Sequence, residues 1–329
     1  MAFSALAPNV KTGAPPRTSK ARMTDAELYA KVISEVRAGT SYYSSVVRNH
    51  RENRYPLKPF FTVRLPTLAI LSAALPTSGA RFLLLGFIVA AGLAWVRLLM
   101  RGLEQRFVRL GALVLVVTSL TTLVSPVLAL FHDAWAGVLI ALSLALNQQK
   151  KVTASVAVGL AAALIRELAL PFLILMACAA AGEKKWQEGV SWAAAILLVG
   201  GAMMLHAQAL SHLVTALDLS SQGWRGLGGW TFYLSTMTIT TPLSIGPAWL
   251  ARVLIPLALC GWFGWRSPLA LRVSGLLIGY GILIAVFSRP DTFYWGLMMT
   301  PLLLIGLAFA PLMIVRLIRQ ISVLRAGTA

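Results

Sequence analysis

Residues 152–181 read VTASVAVGLAAALIRELALPFLILMACAAA: an apolar run interrupted only by Arg166 and Glu167, with Pro171 close behind. About 20 helical residues, at roughly 1.5 Å each, cross the hydrocarbon core of a bilayer. The stretch is therefore long enough for one tilted helix or for two half-length ones. The lysines on either side decide between them. Lys150 and Lys151 precede the run, and Lys184 and Lys185 follow it. A single crossing would put the two pairs on opposite sides and invert every later loop. The spacing instead predicts two short helices, Val152–Ile165 and Leu168–Ala181, turning at Arg166–Glu167. The preceding run, Ala134–Leu146, is equally short. Such helices stop inside the membrane, beneath a cavity where charge and irregular backbone are tolerated.

Outward from this stretch the pattern repeats. Phe82–Val96, Leu110–Phe131, Val273–Ser288 and Gly296–Val315 are also apolar. Of 329 residues, 58% are hydrophobic and 12% charged, with a mean hydropathy of +0.76. Soluble domains carry about 25% charged residues, so this chain reads as an all-α, polytopic transmembrane helical bundle. Backbone polar groups in hydrocarbon must pair within their own segment, which makes each run a helix. Counting runs gives about nine or ten crossings. Nine result if Phe82–Val96 crosses first, which leaves residues 1–81 outside. Ten result if Phe60–Pro76 also crosses, and the 11 Lys/Arg between residues 1 and 64 favour that cytoplasmic placement.

The net charge of +18 needs no nucleic acid to explain it. Taken over alternate loops, one side collects 13 Lys/Arg and the other 4, the asymmetry that marks a cytoplasmic face and puts the C-terminus inside. The expected location is a bacterial inner membrane. Cys178 and Cys260 each lie within an apolar run and read as packing residues. No CxxC, HExxH or Gly-rich phosphate loop is present, so no metal site is predicted. His50, His206 and His212 are isolated and read as incidental. Trp224, Trp230, Phe232 and Tyr233 read as an interfacial aromatic belt.

Four regions follow: a basic, disordered tail over 1–22, an amphipathic and juxtamembrane region over 23–76, the membrane domain over 77–316, and a cytoplasmic tail over 317–329. In the second region Thr24 and Glu27 form an S/T-x-x-E capping box ahead of a helix ended by Gly39. Ionisable clusters fall on the less basic side: His132/Asp133, Arg166/Glu167 and Arg289/Asp291. A charge at membrane depth costs about 2.5–3.5 kcal/mol on insertion scales, so it has a partner or a task. Two arrangements are open. Arg166 pairs with Asp133 and Arg289 with Asp291, tying helices together, or Arg166 and Arg289 converge on one anionic group.

The runs D-A-E-L-Y (Asp25–Tyr29), R-A-G-T-S-Y-Y (Arg37–Tyr43) and Y-P-L (Tyr55–Leu57) resemble the first extracytoplasmic loop of the GT-C superfamily of membrane glycosyltransferases. The short helices meeting at His132–Asp133 and Arg166–Glu167 are similar to the second acidic site of that fold. The resemblance spans residues 24–180. It implies transfer of a sugar from a polyprenyl-phosphate carrier to a glycan, lipid or protein acceptor of the envelope. It further implies that Asp25 is the general base and that Asp133 with His132 positions the acceptor. Arg64, Arg166 and Arg289, with Glu167 and Asp291, then form the phosphate and substrate site. Some relatives use a divalent metal; nothing in this sequence fixes one. The family also begins with a membrane helix ahead of the first loop, and residues 1–24 contain none. The ten-crossing version would moreover put Asp25 on the opposite side from the other clusters. A non-enzymatic carrier or flippase for a lipid-linked sugar, or a structural envelope protein, fits the same composition.

Overall fold

A computed structural model describes residues 23–223 and 226–326, with the side chains of 323–326 left aside. The predicted tail over 1–22, Trp224 and Arg225 lie outside the described residues. Those described are helical throughout, apart from turns and one isolated bridge between Lys58 and Ser220.

Three helices come first: α1 (Asp25–Arg37), α2 (Tyr42–Glu52) and the eight-residue α3 (Thr67–Ala74). Then follow α4 (Gly79–Gly102), α5 (Arg106–Val124), α6 (His132–Gln148), α7 (Val152–Ile165), α8 (Leu170–Gly182) and α9 (Trp186–Ser211). The last are α10 (Gly229–Thr240), α11 (Ala248–Gly261), α12 (Pro268–Phe287) and α13 (Thr300–Ser322). Five of these, α4, α5, α9, α12 and α13, are long and apolar enough to cross a membrane. Their outward faces carry exposed Phe82, Phe107, Leu197, Met204 and Ile282, as lipid contact requires. The last helix continues to Ala326.

The break predicted at Arg166–Glu167 is present. Arg166 takes an extended conformation (φ −139°, ψ 107°), and a short 3-10 turn at Glu167–Ala169 leads into α8. The two helices fold back on each other, since Gly159 of α7 faces Phe172 and Leu173 of α8 as well as Trp192 of α9. Small residues let neighbours approach at backbone distance. At Gly261 and Gly306 an added Cβ would strike the carbonyl of the facing helix.

Helix termini sort into two ends. At one, Asn147 of α6 donates to Glu188 of α9 at 2.7 Å, and Arg272 of α12 bonds Asn147 and Glu183. Arg316 donates to the Gly264 carbonyl nearby. This end gathers the basic loops. Two of its turns have the same build: Lys150 after α6 and Lys184 after α8 both adopt positive φ, 62° and 58°. In each, the next lysine's N–H reaches back to a carbonyl of the preceding helix.

At the opposite end stand His132, Arg166 and Arg289, and there too the whole of residues 23–76 packs. Arg64 pairs with Glu167, Arg51 with Asp218, and Leu57 N–H with the Leu219 carbonyl. The ten-crossing version is therefore corrected. Phe60–Pro76 forms a three-residue turn and an eight-residue helix, about 12 Å long at 1.5 Å per residue, too short to span. Several of the described basic residues that favoured a cytoplasmic placement have internal partners. Arg37 caps the α3 carbonyls of Ser72 and Ala73, and Arg48 pairs with Glu35.

Candidate functional site

Local chemistry fixes the first acidic residue. Thr24 Oγ1 accepts from the Glu27 N–H, and the Thr24 N–H donates to Glu27 at 2.7 Å, completing the capping box. The Thr24 amide holds the exposed Glu27 carboxyl below its ordinary range, which agrees with a capping role. Asp25, on the same turn, is half-buried and faces inward. The Tyr55 hydroxyl lies 2.8 Å from its carboxylate and 2.8 Å from the Met23 carbonyl. Tyr42 donates to the Arg64 carbonyl at 2.6 Å. The tyrosines of the Gly39–Tyr42 and Tyr55–Pro56 segments thus each brace a predicted site residue.

Between this N-terminal layer and the helix ends lies a cavity of about 270 Å³. Asp25, Arg64, His132, Arg289 and Asp291 line it, together with Tyr29, Tyr42, Tyr55 and Tyr294. The Tyr29 ring sits edge-on to His132 at 5.0 Å. Tyr29 is four residues from Asp25, so both face the same way from α1. The chamber combines these polar groups and aromatic rings with an aliphatic wall of Leu28, Val32, Ile33 and Leu68.

A second cavity, about 500 Å³, opens beside it. Its walls are apolar: Leu168 and Leu170, Val199 and Met203 of α9, Leu283 and Phe287 of α12, with Phe61 above. Arg166 and Glu167 form its polar end. A buried chain of charges separates the two spaces. Arg166 Nε donates to Asp133 at 2.8 Å, and Arg166 Nη1 bonds Glu167 Oε1. Arg64 Nη1 reaches the same Oε1 at 3.1 Å, and Arg64 Nη2 the Tyr294 hydroxyl at 3.3 Å. The Arg166 and Asp133 side chains are 1% and 2% exposed. Two cations matched by two anions avoid a net buried charge, the condition under which burial is tolerated. Satisfaction is still incomplete. Arg166 Nη2, Glu167 Oε2 and His132 Nδ1 are buried without a hydrogen bond. The Arg166 guanidinium also lies 6.0 Å from the centre of the Trp295 ring.

The eight predicted residues thus fall into three settings: five at the polar cavity, Arg166 and Glu167 at the apolar one, and Asp133 beneath Arg166. Of the two arrangements left open, the described structure holds the paired one, Arg166 with Asp133 and Arg289 with Asp291. The two arginines line different cavities. Arg289 is held by Asp291, two residues on, through both carboxylate oxygens at 3.1 and 3.2 Å, and bonds the Gly223 carbonyl at 2.8 Å. The arginine that meets Arg166 is Arg64.

Other residues differ from expectation. His206 lies 3.1 Å from the Val63 carbonyl and 3.2 Å from the Tyr43 hydroxyl, pinning the loop that carries Arg64 to α9. Its position inside an apolar helix, where an unpaired imidazole is costly, was the available signal. Tyr233 is buried against α12 rather than forming a belt, while Trp230 stacks on it at 5.1 Å and stays half exposed. Cys178 and Cys260 are free and exposed on their helices. Among the described residues no group of three or more His, Cys, Asp or Glu gathers to hold a metal.

Comparison of the chain with models of known families, with curated proteins and with solved structures returned no match.

Proposed function

We propose that the chain is a membrane glycosyltransferase of the GT-C type, using a lipid-linked sugar phosphate as donor. In this reading it crosses a bacterial inner membrane nine times. Residues 23–76 lie on the outer face and the basic end and C-terminus in the cytoplasm.

The observation that carries the reading is the pairing of the two cavities. Asp25 faces the aromatic, polar one, and the apolar one ends at Arg166 and Glu167, with Arg64 at the wall between them. An acceptor hydroxyl in the polar chamber gives its proton to Asp25. The oxygen attacks C1 of the donor sugar, the C1–O bond to phosphate breaks, and the phosphate leaves with both electrons of that bond. Base catalysis of this kind supplies roughly 10²–10⁴-fold. Arg64 stabilises the charge that builds on the phosphate oxygen. The Tyr55 hydroxyl, bonded to Asp25, orients the carboxylate toward the acceptor.

The test is release of polyprenyl phosphate from a polyprenyl-phosphate sugar by purified protein supplied with envelope extract as acceptor. Asp25→Asn is expected to lose at least about 100-fold in turnover while keeping its melting midpoint and donor binding. Glu27→Gln, which preserves the cap, should behave as wild type. Normal turnover in the Asn variant would remove Asp25 from the mechanism. No turnover by wild type, with movement of the lipid-linked sugar across vesicles, would favour the carrier. The sidedness is read separately, in a background lacking Cys178 and Cys260. An impermeant thiol reagent added outside should label a cysteine at Glu52 and miss one at Lys184; the reverse pattern would invert the assignment.

A further inference from the structure

Glu167 is bound in an unusual way for a residue serving two arginines. Arg64 Nη1 and Arg166 Nη1 both donate to one of its oxygens, Oε1. The other, Oε2, is buried and makes no hydrogen bond, and neither does Arg166 Nη2. The strongest arginine–carboxylate arrangement is a fork of two parallel bonds, and here Glu167 leaves half of that capacity unused. Location adds a second observation. The carboxylate stands where the polar end of the apolar groove meets the wall formed by Arg64. Groove walls from α9 and α12 fit a hydrocarbon chain, and the polar end offers the Arg166 guanidinium, with Arg64 reaching Glu167 from the polar cavity.

We infer that Glu167 holds the place of the anionic head of a single-chain lipid, keeping Arg64 and Arg166 together while the site is empty and giving them up to a phosphate when the chain enters the groove. Phosphate has more acceptor oxygens than a carboxylate and can engage both guanidiniums at once, including the unbonded Nη2 of Arg166. Asp133 stays on Arg166 Nε throughout, so that arginine does not become an unpaired buried cation. The ligand competes with an internal anion, and the wild-type protein therefore binds it more weakly than its two arginines would allow. The inference rests on the proposed lipid-phosphate donor, but its test requires no turnover.

The experiment measures binding of farnesyl phosphate to the full chain in lipid nanodiscs. Farnesol serves as the uncharged control and inorganic phosphate as the headgroup alone. Removing the competing charge with Glu167→Gln should tighten farnesyl phosphate binding by about tenfold or more, the scale of a hydrogen bond to a charged group. Glu167→Asp, one methylene shorter and still charged, should fall between the two. Arg64→Gln should bind more weakly than wild type. If Glu167→Gln folds poorly alone, the ligand should raise its melting midpoint further than it raises that of wild type, and the Asp variant supplies the affinity. Equal or weaker binding by both Glu167 variants, with wild type still binding, overturns the inference and leaves the donor reading intact. Equal binding of farnesol overturns the role of the head, and equal binding of inorganic phosphate overturns the lipid. Failure of every form to bind farnesyl phosphate overturns both the inference and the proposed donor.

Discussion

Two buried charge networks tie the short helices together, one at each end of the bundle. At the basic end, Arg272 bonds Asn147 and Glu183, and Asn147 passes the connection to Glu188. At the other, Arg166 bonds Asp133 and Glu167, and Arg64 joins through Glu167. Both have an arginine less than a tenth exposed. Their surroundings differ. Glu183 is 30% exposed and also paired with Lys185, and neither described cavity touches this network. Each network holds a guanidinium nitrogen buried without a hydrogen bond, Arg272 Nε in one and Arg166 Nη2 in the other, but the Arg166 network is sealed on its Asp133 side and lies between two cavities. Similar residue types thus make a latch in one place and, in the proposed reading, a recognition surface in the other. What separates them is the empty space beside them.

The sharpest way to break this comparison is to remove one partner from each network. Arg166→Met leaves Asp133 buried without its cation, and breaking a pair of this kind costs about 3–5 kcal/mol. The double change Arg166→Met with Asp133→Leu removes both charges and should recover most of that loss. It should not recover farnesyl phosphate binding. At the basic end, Arg272→Met leaves Glu183 with Lys185 and water, so the expected loss is smaller, about 1–3 kcal/mol, and ligand binding should be unchanged. Melting midpoints and binding isotherms on the same preparations check both. If Arg272→Met abolishes binding, or if the double variant at Arg166 restores it, the division into latch and recognition surface fails.

The comparison also marks what the sequence made legible. The helical break at Arg166 was readable because charge parity is global: the lysine pairs flanking Val152–Ala181 had to fall on one side. The capping box at Thr24 and Glu27 was readable because its partners are three residues apart. The ion pairs Arg166–Asp133 and Arg289–Asp291 were visible as one of two options, since their members are few and membrane-embedded. Contacts between residues far apart in the chain were not. Tyr42 with the Arg64 backbone, Tyr55 with Asp25, and His206 with Val63 span 22, 30 and 143 positions, and the motifs that single out the two tyrosines name no partner for either. Arg64 stands among the candidate residues, but its meeting with Glu167, 103 positions on, depends on α3 failing to cross. That outcome rested on a helix of eight residues in a stretch whose basic flanks favoured the other side.

The smallest expected effect concerns the two matched turns at the basic end. Lys150 and Lys184 sit at φ 62° and 58°, the left-handed region, where Cβ crowds the following carbonyl at a cost of about 1–2 kcal/mol for an ordinary residue. Glycine removes that crowding, although its freer unfolded chain returns about 0.5–1 kcal/mol of the gain. Lys150→Gly and Lys184→Gly should therefore each stabilise the fold by a few tenths to about 1 kcal/mol. Alanine is the control that decides the cause. Lys150→Ala removes the same positive charge and keeps the Cβ, so it should give no gain. A gain from alanine equal to that from glycine would mean that repulsion among Lys150, Lys151, Lys184 and Lys185, rather than backbone strain, is what the glycine relieves. The turns would then resemble the Arg166 site more than a latch: a place where like charges are held close for an anion to relieve. A gain confined to glycine keeps the basic end purely structural, with its lysines set by sidedness and its strain a side effect of that choice.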